Sequence, residues 1–582
     1  MSYLLAPIRA RHVPKKDEVR LAIETLTRRE WLFVLALLAV LAISTGGILS
    51  KINSRFMVAV PIHEGTFSEG VIGTPRFVNP LLAISDADRD LSALVYSGLM
   101  RKSGDGSLIP DLAESYDVSA DGLTYTFSLK KNLKFHDGKP LTTDDILYTI
   151  TEAKDPLLKS PRRVDWEGVS ARIVDANTIS FSLKQPYASF LENTTMGILP
   201  AHLWKGIQPD QFGFSDLNVK AVGSGPYKIV SVKKKSTGIP YAYELRSFGR
   251  FALGNPYIAT RWFRFYNNED ELLRALSIGD VDAINSVSPE KALALSNDGY
   301  TVISHPLPRV FGLFFNQSQL PLFTDDAVIK AINLAIDRDT IIKEVLGGFG
   351  VPATGPIPEG VLGEAQISGN GAASGNGANI ALAQAALEKA GWKKNASGIY
   401  EKKTKAATTT LAFSIATGDA PELKRTAEMI KDELNAAGMN VDVKIYEIGT
   451  LNQNVIRPRK YDALLFGQVV SSASDLYAFW HSSQRVDPGL NIAMYTSAVA
   501  DKLLETANKT LKKEDRAALY LKFQDEVKKN ARAVFLYSPD FIYVTNKELG
   551  GEDTVSVSSP SDRLLDAYKT YFETDYVWKI FQ

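Results

Sequence analysis

No cysteine occurs anywhere in the 582 residues of this chain. That absence excludes disulfides, thiol nucleophiles and thiolate metal sites. It also excludes attachment to a membrane through a lipid-modified cysteine, so any anchor has to be polypeptide. Net charge is missing too: Lys+Arg and Asp+Glu each total 66, which gives no broad attraction to nucleic acid or acidic surfaces. There is no Walker-type phosphate loop, no dinucleotide glycine fingerprint and no Gly-x-Ser-x-Gly elbow. The histidines, His12, His63, His136, His202, His305 and His481, are scattered, with no pair at metal-ligand spacing. Asp144–Asp145 follows two threonines and precedes an apolar run, which reads as a helix N-terminus and not as a catalytic pair. His136–Asp137–Gly138 reads as a turn after a strand. No catalytic residue, metal ligand or cofactor is assigned, although missing motifs alone leave an enzyme open, since glycosidase carboxylates leave little local trace.

What is present begins with one long apolar run. Trp31 to Leu49 (WLFVLALLAVLAISTGGIL) holds 19 residues without a charge. As a helix it matches a hydrocarbon core about 30 Å thick. Arg9, Arg11, Lys15, Lys16, Arg20, Arg28 and Arg29 precede it, whereas only Lys51 and Arg55 follow closely. The positive-inside rule then sets residues 1–30 as a cytoplasmic tail, 31–49 as a transmembrane anchor, 50–61 as a linker and the rest outside the cell membrane. Cleavage after the small residues Ala42, Ser44 and Gly46 is the alternative.

The remaining chain is long enough to need several subdomains. Leu123–Lys130 (LTYTFSLK), Thr178–Lys184 and Tyr241–Ser247 alternate apolar and polar residues, the pattern of half-buried antiparallel strands. The later half reads as α/β. Thr408–Ile415 predicts a strand, Pro421–Ala437 a helix stopped by Gly438, Val441–Ile445 a strand and Tyr461–Gly467 another. Helices are also predicted over Glu269–Ile278, Asp326–Val345 and Ile380–Ala390, and Gly363–Gly377 reads as an exposed loop. Two differently built halves suggest two lobes with a cleft between them.

A set of short segments, in order, carries a resemblance. They include Asn79–Leu82 (NPLL), Leu94–Met100 (LVYSGLM), Leu108–Tyr116 (LIPDLAESY), Lys134–Leu141 (KFHDGKPL), Gly223–Tyr227 (GSGPY), Gly279–Ile284 (GDVDAI), Phe314–Arg338 with FFNQS and AINLAIDR, and Ala390–Trp392 (AGW). From about residue 70 onward the chain resembles the family 5 extracellular solute-binding proteins, which include dipeptide, oligopeptide and nickel binders. The anchor, the missing lipobox cysteine and the Gly-rich insert depart from the family pattern.

The resemblance implies an α/β, two-lobed type II periplasmic-binding-protein fold with mixed sheets. Residues 62–308 and 536–582 would form lobe 1, with a strand-rich subdomain near 100–220, and 309–535 would form lobe 2. The crossovers would lie near Pro308–Asn316 and Ala533–Tyr543, both strand-like. The function it implies is capture of an extended peptide for an ABC importer, with a peptide ligand and membrane permease subunits as partners and a monomeric receptor. Asp475, in SASDLYAFWH, is the candidate for holding a ligand amine, although the Asp-Pro-Asp pattern of peptide-binding relatives is not intact; capping a helix is the other reading. Trp480 and Phe479 would stack on ligand side chains or pack in the core. Phe314 and Asn316 would line the cleft at the first crossover. Gly223 and Gly225 would permit close backbone approach or form a tight turn, and Tyr96 is a further candidate. A non-peptide ligand (metal chelate, oligosaccharide or haem) is the alternative, followed by an anchored enzyme or chaperone.

Overall fold

A computed structural model of the chain describes residues 16–104, 106–362, 378–404, 407–530, 532–551 and 557–578. The expected loop over 363–377 lies outside them. Two compact units emerge, one from residues up to Ile62 together with those from Glu573, the other from His63 to Phe572.

In the smaller unit the apolar run forms part of one helix, Arg28–Phe56, begun by a capping box in which Thr27 and Glu30 bond each other's backbone N–H. Its stretch Arg28–Asn53 is long and apolar enough to cross a membrane, and none of it is buried. The helix outruns the expected boundary at Leu49. Instead of a linker, Met57–Pro61 forms a strand paired antiparallel with Thr574–Trp578. The last strand therefore groups with the first residues of the chain, not with the segment preceding it.

The larger unit is organised around the strand Ala533–Thr545. Its first half pairs antiparallel with Arg309–Phe315 and Gly350–Pro352. Its second half pairs antiparallel with Thr301–Pro306 and Ala283–Asn285. The partners change at Pro539 on one side and at Leu307–Pro308 on the other, where Leu307 N–H donates to the Pro539 carbonyl. A proline offers no N–H to a ladder, so both chains lack a donor where pairing switches. Parallel strands extend the sheet from each end. Thr66–Ile72 pairs with Ala283–Asn285 and with Thr260–Tyr266, while Ala463–Val469 lies between Arg309–Phe315 and Ala412–Gly418.

The alternating segments behave as their period requires. Thr124–Leu129 sits in a four-stranded antiparallel sheet with Tyr125, Phe127 and Leu129 buried. The predicted βαβ unit is present as Ala412–Gly418, helix Pro421–Ala436 and Asn440–Tyr446, with the two strands parallel. Two expectations need correction. The strand expected over Thr408–Ile415 is divided, because Thr408–Thr410 pairs with Tyr400–Lys403 in a separate sheet before Ala412 joins the large one. The single helix expected over Asp326–Val345 is two, Asp326–Ala335 and Arg338–Val345. Asp337 interrupts it by accepting the Thr340 N–H at 2.9 Å, while Arg338 turns inward to the Phe535 carbonyl at 2.8 Å. Asp144–Asp145 does open a helix, Thr143–Lys154, with Asp145 closing a capping box on Thr142.

One hydrophobic core draws on positions 71–265 with Leu564 and Ala567; two more lie within positions 310–537. The segment Pro560–Leu564 is fixed to the first by charge. Arg563, buried, donates to Glu69 Oε1 at 2.7 Å and to both oxygens of Asp90 at 3.0 and 2.6 Å. Ser561 and Asn285 bond the same carboxylates. Burial pushes Glu69 up and Arg563 pulls it back. Removing one member of such a group leaves uncompensated buried charge, at a cost of about 3–5 kcal/mol. Arg563→Ala is therefore expected to lower the thermal unfolding midpoint sharply. A midpoint within a degree or so of the parent would show that the group contributes little.

Candidate functional site

Helix Asp475–Trp480 follows strand Ala463–Val469 through a serine-rich loop. Asp475 is its first residue, and its carboxylate accepts the Ser472 N–H at 2.9 Å. Asp475 is thus not the N-cap, which is Ser474; its carboxylate reaches back to backbone N–H groups of the preceding loop. Across from this loop stand residues from the strand-rich part of the chain. Glu192 lies near the Ser472 side chain and Tyr187 near that of Ser474, close enough for each serine to favour the charged form of its neighbour. Ala188 N–H donates to the Asn508 carbonyl at 3.1 Å, closing the same interface through backbone. Elements before and after the paired crossover strands therefore meet here.

The charge at this meeting is one-sided. Burial, and then the negative charge of Asp165, raise the affinity of Asp475 for a proton. Loss of solvation does the same for Glu192, which still keeps an exposed surface, with Asp475 adding to it and Ser472, Lys102 and Arg516 opposing it. Asp165 has its own cation, Arg162, at 3.1 Å. Among the described residues neither Glu192 nor Asp475 has one in ion-pair contact. Lys102 is spent on Ser558 and on Asp562, 3.7 Å away, and Arg516 donates to the carbonyls of Thr510 and Leu511. Neighbouring carboxylates without an ion-pair partner favour binding of a cation. Tyr187 and Tyr520 complete the surroundings, the burial of each raising its hydroxyl.

The other expected site residues are packed inside the protein. Trp480 and Phe314 are fully buried in one core, with ring centroids 6.3 Å apart, and Phe479 packs against it. Asn316 is buried as a turn cap, donating to the Arg459 carbonyl at 2.7 Å and accepting from Ser318 and Gln319. Tyr96 is buried, and its hydroxyl donates to the Val78 carbonyl. The close approach at Gly223 and Gly225 is to the chain itself. A Cβ at either would fall 2.1 or 2.5 Å from a carbonyl oxygen of Val95 or Leu94, and Gly225 N–H donates to Val95. For these residues packing is the role the structure displays. Only Asp475 of the set stands among the carboxylates.

Sequence reading missed Glu192, Asp165 and Tyr187, which lie some 300 positions from Asp475 and share no local motif with it. It also missed Gln468, whose buried side-chain amide bonds no protein atom, as does the Trp480 indole N–H. A polar residue inside an otherwise apolar strand, ALLFGQV, is the one signal that pointed to Gln468.

Residues 107–489 match the bacterial extracellular solute-binding proteins, family 5. The chain belongs to this family. The oligopeptide-binding protein AppA of Bacillus subtilis is 27% identical over 524 residues, covering 88% of this chain and 94% of that one. The structure of that AppA with a nonapeptide superposes with a TM-score of 0.65 at 25% identity, covering 88% of this chain and 100% of that one. NikZ from Campylobacter jejuni, in complex with Ni(L-His), gives 0.67 at 26% identity, covering 87% and 99%. The type II periplasmic-binding fold expected from the sequence is thus established, and membership makes the chain a solute-binding protein.

Within this family 5 chain the Gly223–Gly225 turn is locked by His136. The ring Nε2–H donates to the Gly225 carbonyl at 3.0 Å and Nδ1 accepts from Gly223 N–H at 3.3 Å. Those bonds specify the neutral Nε2–H form. Burial holds the imidazole down at about 4. The unfolded chain takes up this proton near 6.5, the folded one near 4, so stability falls as pH drops through that window. The contribution lost by pH 5 is about 2 kcal/mol. His136→Gln, whose amide can make both bonds without titrating, is expected to flatten the difference between urea midpoints at pH 7 and pH 5. An unchanged difference would mean other groups carry it.

Proposed function

We propose that this chain is the membrane-held, extracytoplasmic receptor of an ABC importer, and that it captures peptides by closing over them. Residues 62–308 and 536–572 serve as one lobe and 309–535 as the other, with the paired strands Arg309–Phe315 and Ala533–Thr545 as the connection that bends. The helix Arg28–Phe56 stays attached as the anchor, which keeps the receptor at a high effective concentration near its permease.

The observation that carries this reading is that Glu192 and Asp475, one from each proposed lobe, lie near enough for the charge of one to act on the other, and that neither has an ion pair among the described residues. A peptide's α-ammonium group supplies the missing charge and draws the lobes together, because each carboxylate belongs to a different one. The main chain of an extended peptide adds hydrogen bonds to exposed backbone, which gives affinity independent of sequence. AppA, seen with a nonapeptide, supports a ligand of this kind. NikZ, seen with Ni(L-His), keeps a small metal chelate as the second reading. Family membership and the absence of any assigned catalytic group support a receptor without turnover.

Asp475→Asn and Glu192→Gln are each expected to weaken binding of a free-amine peptide by at least about 2 kcal/mol in calorimetry. An N-acetylated peptide should bind the parent poorly and be indifferent to both changes. Both carboxylates bind protons more readily than ordinary ones, so affinity should fall on acidification earlier than the usual carboxylate range. Equal affinity for the free and acetylated peptides would sink the proposal.

A further inference from the structure

The two ends of the chain meet just past the apolar helix, and the way they meet points to a contact with lipid. Strand Met57–Pro61 continues directly from helix Arg28–Phe56, and Thr574–Trp578 pairs with it from Pro61↔Thr574 to Met57↔Trp578. Ile62 N–H donates to the Glu573 carbonyl at 3.2 Å, extending the ladder by one step. A two-stranded ribbon of this length is marginal alone. Here it is fastened to the helix: the Trp578 indole N–H donates to Asn53 Oδ1 at 2.9 Å, and its ring stacks on Phe56 with centroids 6.2 Å apart and planes 16° apart.

Side chains alternate along a strand, so Trp578 and Tyr576 share one face of the ribbon and Asp575 and Val577 share the other. The first face is strongly exposed: Trp578 is 40% accessible, Tyr576 61% and Phe56, at the helix end, 48%. Three large aromatics left open in one place need a partner. Their position along the helix says which. A hydrocarbon core of about 30 Å takes up roughly 20 residues, Trp31 to Ser50. Asn53, the residue Trp578 bonds, then lies about 5 Å beyond it, at the depth of the lipid headgroups. Trp and Tyr favour that layer because each has an apolar body and a polar tip. Lys51 and Arg55 flank the same turn and suit anionic lipid phosphate.

We propose that the ribbon Met57–Pro61/Thr574–Trp578 is a footing on the outer face of the bilayer, with Phe56, Tyr576 and Trp578 set into the headgroup layer. The solute-binding unit, which starts at His63 and ends at Phe572, is then held to the membrane through both ends of its chain. Two strands resist twisting better than one linker, so the footing orients the receptor as well as retaining it. This rests on the reading of Arg28–Phe56 as an uncleaved anchor.

The absence of cysteine makes the test direct. Full-length Tyr576→Cys, Asp575→Cys and Ser44→Cys, each carrying an environment-sensitive dye, are placed in nanodiscs of mixed phosphatidylethanolamine and phosphatidylglycerol. Nitroxide lipids labelled on the headgroup or deep in the acyl chain serve as quenchers. The footing predicts that the headgroup nitroxide quenches the dye at 576 several-fold more than the dye at 575, while the acyl-chain nitroxide quenches the dye at 44. Equal quenching at 575 and 576, strong or weak, overturns the footing but leaves the anchor standing if residue 44 is quenched from the acyl chain. Loss of residue 44 from the mature protein, or no acyl-chain quenching there, overturns both.

Discussion

The thirteen-residue strand Ala533–Thr545 is the constraint on which the larger unit depends. It is hydrogen-bonded to one set of strands along its first half and to another along its second, and Thr301–Phe315 runs antiparallel beside it for almost its full length. The sheet's two ends are connected through this strand. Because Pro308 and Pro539 mark the change of partners, the two connections are weakest in donors at the same level. A bend there breaks few ladder bonds, while the cores on either side, closely packed, resist distortion. Elements on either side of those connections meet at the backbone bond from Ala188 to Asn508.

Charged side chains are handled in two different ways. Around Arg563 one guanidinium answers two carboxylates, and Ser561 and Asn285 take up further lone pairs. That group fastens Pro560–Leu564 to strand Thr66–Ile72 and helix Asp86–Val95, with Glu69 Oε2 the buried oxygen it leaves without a hydrogen bond. Asp475 accepts from loop backbone, and neither it nor the exposed Glu192 has an ion pair among the described residues. On the proposed function, the first arrangement is structural and the second is the one a cationic ligand completes.

Much of the fold was legible because it is written at short range. Period-two segments such as LTYTFSLK became strands, and Pro421 and Gly438 bounded a helix where expected. The apolar run was found, although its helix extends to Phe56 because the residues after Leu49 keep helical propensity and the strand partner that stops it lies at the other end of the chain. Asp337 broke a helix through a side-chain cap that periodicity ignores. The site was far less legible. Asp475 was reached only through family resemblance, and Glu192 and Asp165 have no sequence pattern at all. Aromatic candidates such as Trp480 and Phe314 lie in the core, where a sequence cannot tell packing from display.

The most direct test of the central claim, that the paired carboxylates hold the amino end of a peptide, is to identify what the full-length protein carries when purified from a bacterial host. Native and denaturing mass spectrometry on the parent and on Asp475→Asn would give both identity and dependence. The account predicts heterogeneous peptides of a narrow length range with free amino termini, lost or much reduced in the variant. A single non-peptide species, or peptides retained equally by Asp475→Asn, would contradict it.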